Sequence, residues 1–246
     1  MQDGEYLYFV DCDDFIENDV IEYLYNLCKR YNVKFSTCLS KMIDNYDFKV
    51  KKTKEKVDII DSYEMLKKIL LAKDNSITTW NKLIKKEIYD GIRFNNKYIN
   101  DNDVTHRLVI NTDRIAYSNQ IKYYYFKNPN GITAYAQKNT LRSINLYKVS
   151  VERYEYIKKY YPESIENNIC LLRSTIKLYL RDDEELQNYL KDQNADKYIK
   201  ELFSYKMIFK WINIKIKILF IIFRINPKLC KDIYTKYQRK HYKYYK

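Results

Sequence analysis

Near its start the chain runs Tyr, Leu, Tyr, Phe, Val without a charge, and period-two alternation puts Tyr6, Tyr8 and Val10 on one face and Leu7 and Phe9 on the other. Both faces are apolar, which predicts a central strand over residues 5–10. From 19 to 31 the period changes: Val20, Leu24, Leu27, Cys28 and Tyr31 recur three and four apart, predicting an amphipathic helix capped at Asn18. A second strand is expected over 34–39. Strand, acidic turn, helix, strand is the order of an α/β unit, in which ligands collect at the carboxyl ends of strands.

Residues 41–61 are polar and weakly periodic, and read as an excursion or hairpin. Helices are expected over 62–72, with Met65, Leu66, Ile69 and Leu70 inward, over 78–89 and over 104–110, followed by strands at 114–118 and 120–126. Beyond Ala134 the pattern turns to long helical periods, 137–160 and 165–203, interrupted at Pro162 and at the acidic run "RDDEEL". The predicted organisation is an α/β part over 1–134, a helical region over 135–203 and a basic amphipathic tail over 204–246.

Charge sharpens that last boundary. The formal net charge is +13, yet 204–246 holds twelve Lys or Arg against the single acid Asp232, so the first 203 residues are close to neutral. Five cysteines, scattered and never in a CxxC spacing, suggest neither a disulfide framework nor a zinc site and fit a reducing cytoplasm. The longest apolar run, 218–223, is far short of the ~18 residues of a spanning helix, and no basic and apolar leader opens the sequence.

The sharpest chemical question is the crowding of Asp11, Asp13 and Asp14 where the first strand stops. Like charges so close raise one another's proton affinity, so the cluster costs stability unless a cation, helix caps or an open turn absorb it. Asp14 and Glu17 have capping-box spacing, which keeps the purely structural reading open.

Four stretches, in order, resemble family 2 glycosyltransferases. "GEYLYFVDCDDFIENDVIEYLYNLCKRYNVKFSTC" is similar to the family's GEYIxFxDSDDxI segment with its following helix and strand. "TTWNKLIKKEIYDGIRF" resembles its WNKLYxxExx…IRF element. "NKYINDNDVTHRL" resembles its YEDxxxxxxL helix, and "RIAYSNQIKYYYFKNPNGIT" its IAY strand and YYYRxRxxSI strand and loop. The resemblance spans about residues 4–133 and corresponds to the C-terminal half of the family's catalytic domain. It implies a partial GT-A, Rossmann-like α/β sandwich, and a chain that is a fragment, a late-started reading frame or a degenerate copy without the nucleotide-binding first half.

The same resemblance assigns roles. A diphosphate leaving group needs its charge neutralised, and Mg²⁺ or Mn²⁺ held by one or two carboxylates can do so; the implied ligands are Asp11 and Asp13, with Asp14 orienting the pair. Asp101 in "NDND" stands at the family's catalytic base, and Asn100 replaces the usual Glu beside it. Trp80, Asn81 and Lys82 would line the acceptor side. Lys127 is the cation left near the phosphates, where relatives carry arginines and this chain has Phe126 and Asn128. Without the resemblance, Asp101 is simply a helix cap, Trp80 is core and Tyr123 to Tyr125 pack a strand.

The implied function is transfer of a sugar, with inversion, from a nucleoside-diphosphate sugar to an acceptor hydroxyl on a glycan or lipid-linked acceptor, in envelope polysaccharide or glycolipid synthesis, or an inactive copy of such an enzyme. The alternatives are a non-catalytic domain that binds a partner or membrane surface, and nucleic-acid binding through the basic tail. In the tail, "INIKIKI" alternates like a strand, "ILFIIF" with Arg224 suits a membrane surface, and "YTKYQRKHYKYYK" could stack on single-stranded nucleic acid. Peripheral attachment at the inner face of the membrane is preferred among the binding roles, beside the equal alternative of a solvated basic tail; nucleic acid is the weaker expectation.

Overall fold

A computed structural model of the chain describes residues 4–45, 47, 53–71, 73–74, 76–94, 100–129, 131, 139–163, 169–181, 183–204 and 214–242. The order is β1 (Tyr6–Tyr8), β2 (Phe15–Ile16), α1 (Val20–Tyr31), β3 (Phe35–Ile43), β4 (Val57–Asp61), α2 (Ser62–Leu70), β5 (Lys82–Lys85), a 3-10 turn (Lys86–Tyr89), α3 (Asn100–Ile110) and β6 (Arg114–Phe126). Helices α4 (Thr140–Tyr160), α5 (Ile169–Tyr179), α6 (Glu184–Asp192), α7 (Ala195–Ser204), α8 (Ile214–Ile225) and α9 (Pro227–Tyr242) follow.

The six strands form one sheet in the order β1-β5-β3-β6-β2, with β4 also on β6; β3 and β6 are parallel and the other pairings antiparallel. Strand alternation decides what covers each face. Leu83 and Ala116 turn toward α1, whose Val20, Leu24, Leu27 and Cys28 are buried against them. Their neighbours Ile84 and Ile115, with Phe35, turn the other way, onto Met65, Leu66, Ile69 and Leu70 of α2 and Val104 and Leu108 of α3. Tyr154 of α4, Leu172 of α5 and Phe220 of α8 belong to that same core, so the C-terminal helices share the core of the sheet.

Tyr6 and Tyr8 do pack on the α1 side and Leu7 and Phe9 on the other. The expected central strand, however, lies at the edge: among the described residues β1 pairs only with β5. Helix α1 ends at Asn32 in the left-handed conformation (φ 47°), a geometry asparagine tolerates, and its N–H returns to the carbonyls of Cys28 and Lys29. At the other end Asp19, not Asn18, is the cap residue, and its carboxylate takes Lys122 of β6 at 2.6 Å.

The helix expected over 78–89 does not form. Asn81 adopts φ 59°, which no helix accommodates, and Lys82–Lys85 is a strand fixed between β1 and β3, an example of sheet pairing overriding local periodicity. The two strands expected from 114 to 126 are one thirteen-residue strand; its register against β3 slips where Tyr117 to Tyr123 of β6 faces Thr37 to Ser40, so the extra residues bulge on β6, while the Cys38 N–H donates to the Asn81 carbonyl at 3.2 Å on the β5 side. The long period over 165–203 divides into three helices, with Asp183 capping α6 through the Leu186 N–H and Asn194 (φ 49°) turning the chain into α7. The "INIKIKI" alternation enters α8, which buries Phe220 and Phe223, so its strand-like pattern is overruled. The expected boundary at Ala134 lies outside the described residues.

Candidate active site

The topology brings four segments to one end of the sheet: the turn after β1, the entry to β5, the first turn of α3 and the end of β6. Antiparallel pairing puts the end of β1 beside the start of β5, with Phe9 bridged to Trp80. Strand β6 then wraps the acidic turn. Tyr123 donates its hydroxyl proton to Oδ2 of Asp14 at 2.6 Å and accepts the Asp11 backbone N–H at 3.2 Å. The Phe126 N–H donates to Oδ1 of Asp14 at 2.8 Å, and Nδ2 of Asn128 donates to Oδ2 of Asp13 at 3.0 Å.

The three aspartates therefore differ. Asp14 has both oxygens engaged by β6, which ties the acidic turn to that strand. Glu17 accepts from the Tyr124 hydroxyl at 2.6 Å, so it ties the chain to β6 through that side chain. Asp13 gives one oxygen to Asn128, in the place where the resemblance expects an arginine. The Asp11 carboxyl is pushed up to about 6, first by its partial burial and then by the negative charges of Asp101, Asp14 and Asp13, with Asp101 the strongest of the three.

Asp101 reaches this cluster from the first turn of α3, where the positive end of the helix dipole favours a carboxylate. Thr79 donates to its Oδ1 at 2.6 Å. Asn100 begins the same helix, and its side chain lies outside the described residues.

Asn81 and Lys82 are buried, each about 1% exposed, and so stand behind the aspartates. Asn81 donates Nδ2 to the Cys38 carbonyl at 2.5 Å and accepts from Nζ of Lys82 at 2.7 Å. Burial pulls the Lys82 ammonium down to about 7, opposed by the Asp101 charge. Trp80, 6% exposed, is stacked on Tyr123 with ring centroids 4.4 Å apart and 13° between planes, so most of its indole is covered. Lys127 is exposed directly after β6, between the two residues that hold Asp14 and Asp13.

Sequence reasoning missed Thr79, Tyr123 and Asn128 as partners of the aspartates, and also Tyr89. The Tyr89 hydroxyl is buried with no hydrogen-bond partner among the described residues, and burial and then the Asp101 charge push its pKa up. The Tyr123/Tyr125 alternation beside Asp11/Asp13 was the only available signal, and it reads equally well as packing.

Among the described residues no three His, Cys, Asp or Glu side chains are grouped to enclose a metal ion. A hard octahedral ion such as Mg²⁺ needs no such cage, since it keeps waters and takes one or two carboxylates plus substrate phosphates. The Asp11 carboxyl, crowded by like charge and drawing its strongest repulsion from a carboxylate on another element, fits that partial ligand set.

The sheet with α1 on one face and helices on the other, continued by a helical C-terminal region, is a glycosyltransferase-like α/β fold. It is similar to residues 1–349 of S. aureus TarS, solved in complex with UDP-GlcNAc, with a TM-score of 0.60 and 16% identity over 82% of this chain and 60% of that one. The same TarS fragment in complex with UDP gives a TM-score of 0.42 at 12% identity, over 84% and 68%. At such identities the likeness is one of fold, and this chain spans about 60% of the length of the TarS fragment in its UDP-GlcNAc complex. No family model and no curated protein matches the sequence.

Proposed function

We propose that the chain is a glycosyltransferase of the family 2 type, transferring a sugar from a nucleoside-diphosphate sugar to an acceptor hydroxyl with inversion, in the assembly of an envelope polysaccharide or glycolipid. The observation that carries this reading is the convergence of the turn after β1, the entry to β5 and the first turn of α3, through the Phe9–Trp80 bridge and the Thr79–Asp101 hydrogen bond, with Asp101 the strongest charge acting on Asp11. In this reading the two carboxylates, from separate elements, serve the donor and the acceptor respectively. The TarS likeness supports the fold, and the complex of TarS with UDP-GlcNAc makes a uridine-diphosphate sugar the first donor to try.

In this reading Asp101 is the general base. Thr79 holds its Oδ1, which leaves Oδ2 to take the acceptor proton as the hydroxyl attacks. Asp11 and Asp13 would hold Mg²⁺ or Mn²⁺, whose chemistry is to neutralise charge on the departing diphosphate. Asp14, clamped by Tyr123 and Phe126, fixes the turn that presents them. Lys127 supplies a nearby positive charge.

The test is titration with UDP-GlcNAc and other sugar nucleotides in Mg²⁺ or Mn²⁺, followed by transfer or donor hydrolysis. Metal-dependent binding and turnover, with turnover lost in Asp101→Asn, is the expected result. Absence of measurable affinity for every sugar nucleotide would overturn it in favour of a non-catalytic domain.

A further inference from the structure

Helices α8 and α9 meet at Asn226, whose side chain caps α9 by accepting the Leu229 N–H at 3.0 Å. One side of this corner is committed to the protein: Phe220, Phe223 and Cys230 are buried in the main core. A surface helix with its inner side so packed normally turns polar residues outward. Here the outward positions include Ile218 (50% exposed), Ile221 (50%), Ile225 (79%), Leu229 (48%) and Ile233 (40%). Spacings of three and four place 218, 221 and 225 along α8, and 229 and 233 along α9, with Ile225 and Leu229 flanking the corner.

The patch is set among cations. Lys217, Arg224, Lys228, Lys231 and Lys236 belong to the same two helices, with Asp232 the single acid from 204 to 246. We propose that this corner docks onto an anionic lipid bilayer, its aliphatic side chains entering the headgroup boundary and its lysines and arginine meeting lipid phosphates. Charge decides against a second copy as the occupant, because two such patches would bring like charges together. Among the described side chains of the corner the exposed hydrophobics are aliphatic, so this patch offers bases nothing to stack on. Helix α8 has twelve residues, and no helix among the described residues is long and apolar enough to cross a membrane, so the contact lies along the surface.

The experiment is vesicle co-sedimentation of the full chain, without any sugar nucleotide, so its outcome is independent of the proposed transferase reaction. Vesicles of phosphatidylcholine alone are compared with vesicles holding equal parts phosphatidylglycerol. Binding to the anionic vesicles roughly tenfold or more tighter, and weakening with salt, is expected. The double variant Ile221→Ser, Ile225→Ser should lose the part of binding that survives high salt, and Lys217→Gln with Lys228→Gln the salt-sensitive part. Circular dichroism should show both variants folded, since these side chains lie outside the core. Equal binding to both vesicle types, no binding, or unchanged binding of the serine variant would overturn the proposal. So would a shift of the serine variant from dimer to monomer in light scattering, which would identify a second copy as the occupant, or binding of a single-stranded RNA oligomer that the serine variant abolishes.

Discussion

Thr79 donates its hydroxyl proton to Asp101 at 2.6 Å, and the two residues come from opposite sides of the site, one entering β5 and the other beginning α3. The bond fixes one oxygen of a carboxylate whose other oxygen can then face an acceptor. Asp101→Asn should lower the transfer rate by roughly 10²- to 10⁴-fold. Thr79→Val should lower it less, on the order of 10- to 100-fold, the equivalent of one hydrogen bond to a charged group. Steady-state turnover of the two variants, alone and combined, checks the order; an effect of Thr79→Val in a chain already lacking the Asp101 carboxylate would break the link between them.

Asp11 makes folding pH-dependent in a defined direction. Its carboxyl titrates at about 6 in the folded chain against 3.8 when unperturbed, so between those values the folded state holds the extra proton. Its contribution therefore falls as pH rises through that window, and its full cost remains above about 6. Asp11→Asn should be more stable than the parent at pH 7 and converge with it near pH 4. Mg²⁺ or Mn²⁺ should raise the melting temperature of the parent and leave that of the variant unchanged. Thermal melts at several pH values, with and without metal, read both effects.

Lys82 has the opposite dependence. Burial holds its ammonium to about 7 against 10.5 in the unfolded chain, so the unfolded state carries the extra proton between those values and stability rises with pH across them. Lys82→Met, which keeps the length without the charge, should flatten that rise. The difference between parent and variant in urea midpoints from pH 7 to 10 isolates it from the tyrosines that titrate nearby.

Asn81 combines a left-handed backbone with a buried hydrogen bond to Cys38. Asn81→Ala should cost ~2–3 kcal/mol, of which ~1–2 is the strained φ and ~1 the unpaired carbonyl. Asn81→Gly should recover the first part only. Chemical denaturation of both variants measures the division, and equal losses would remove the backbone account.

Tyr123→Phe keeps the ring stacked on Trp80 but releases the Asp11 N–H and Oδ2 of Asp14. A loss of ~1.5–3 kcal/mol is expected, together with weaker donor binding as the acidic turn loosens. Calorimetric titration of the variant with donor and metal reads the second effect.

The elements that the sequence disclosed are those whose periodicity matches their final contacts. Val20, Leu24, Leu27 and Cys28 give α1 its buried stripe whatever surrounds it, and the alternation of β1 assigns its two faces correctly. The acidic turn was visible because its residue types are costly to bring together without a reason, and Asp101 only through the family resemblance. What periodicity could not reveal is where pairing prevails. Residues 82–85 form a strand because β1 and β3 offer hydrogen bonds on both sides, and Asn81 turns the chain into that place. Only the fold sets Thr79 and Tyr123 on the aspartates, since each bond joins segments far apart in the chain. Local spacing fixed which faces are apolar; long-range pairing decided which side chains meet, because a hydrogen bond across the sheet leaves no period in the sequence.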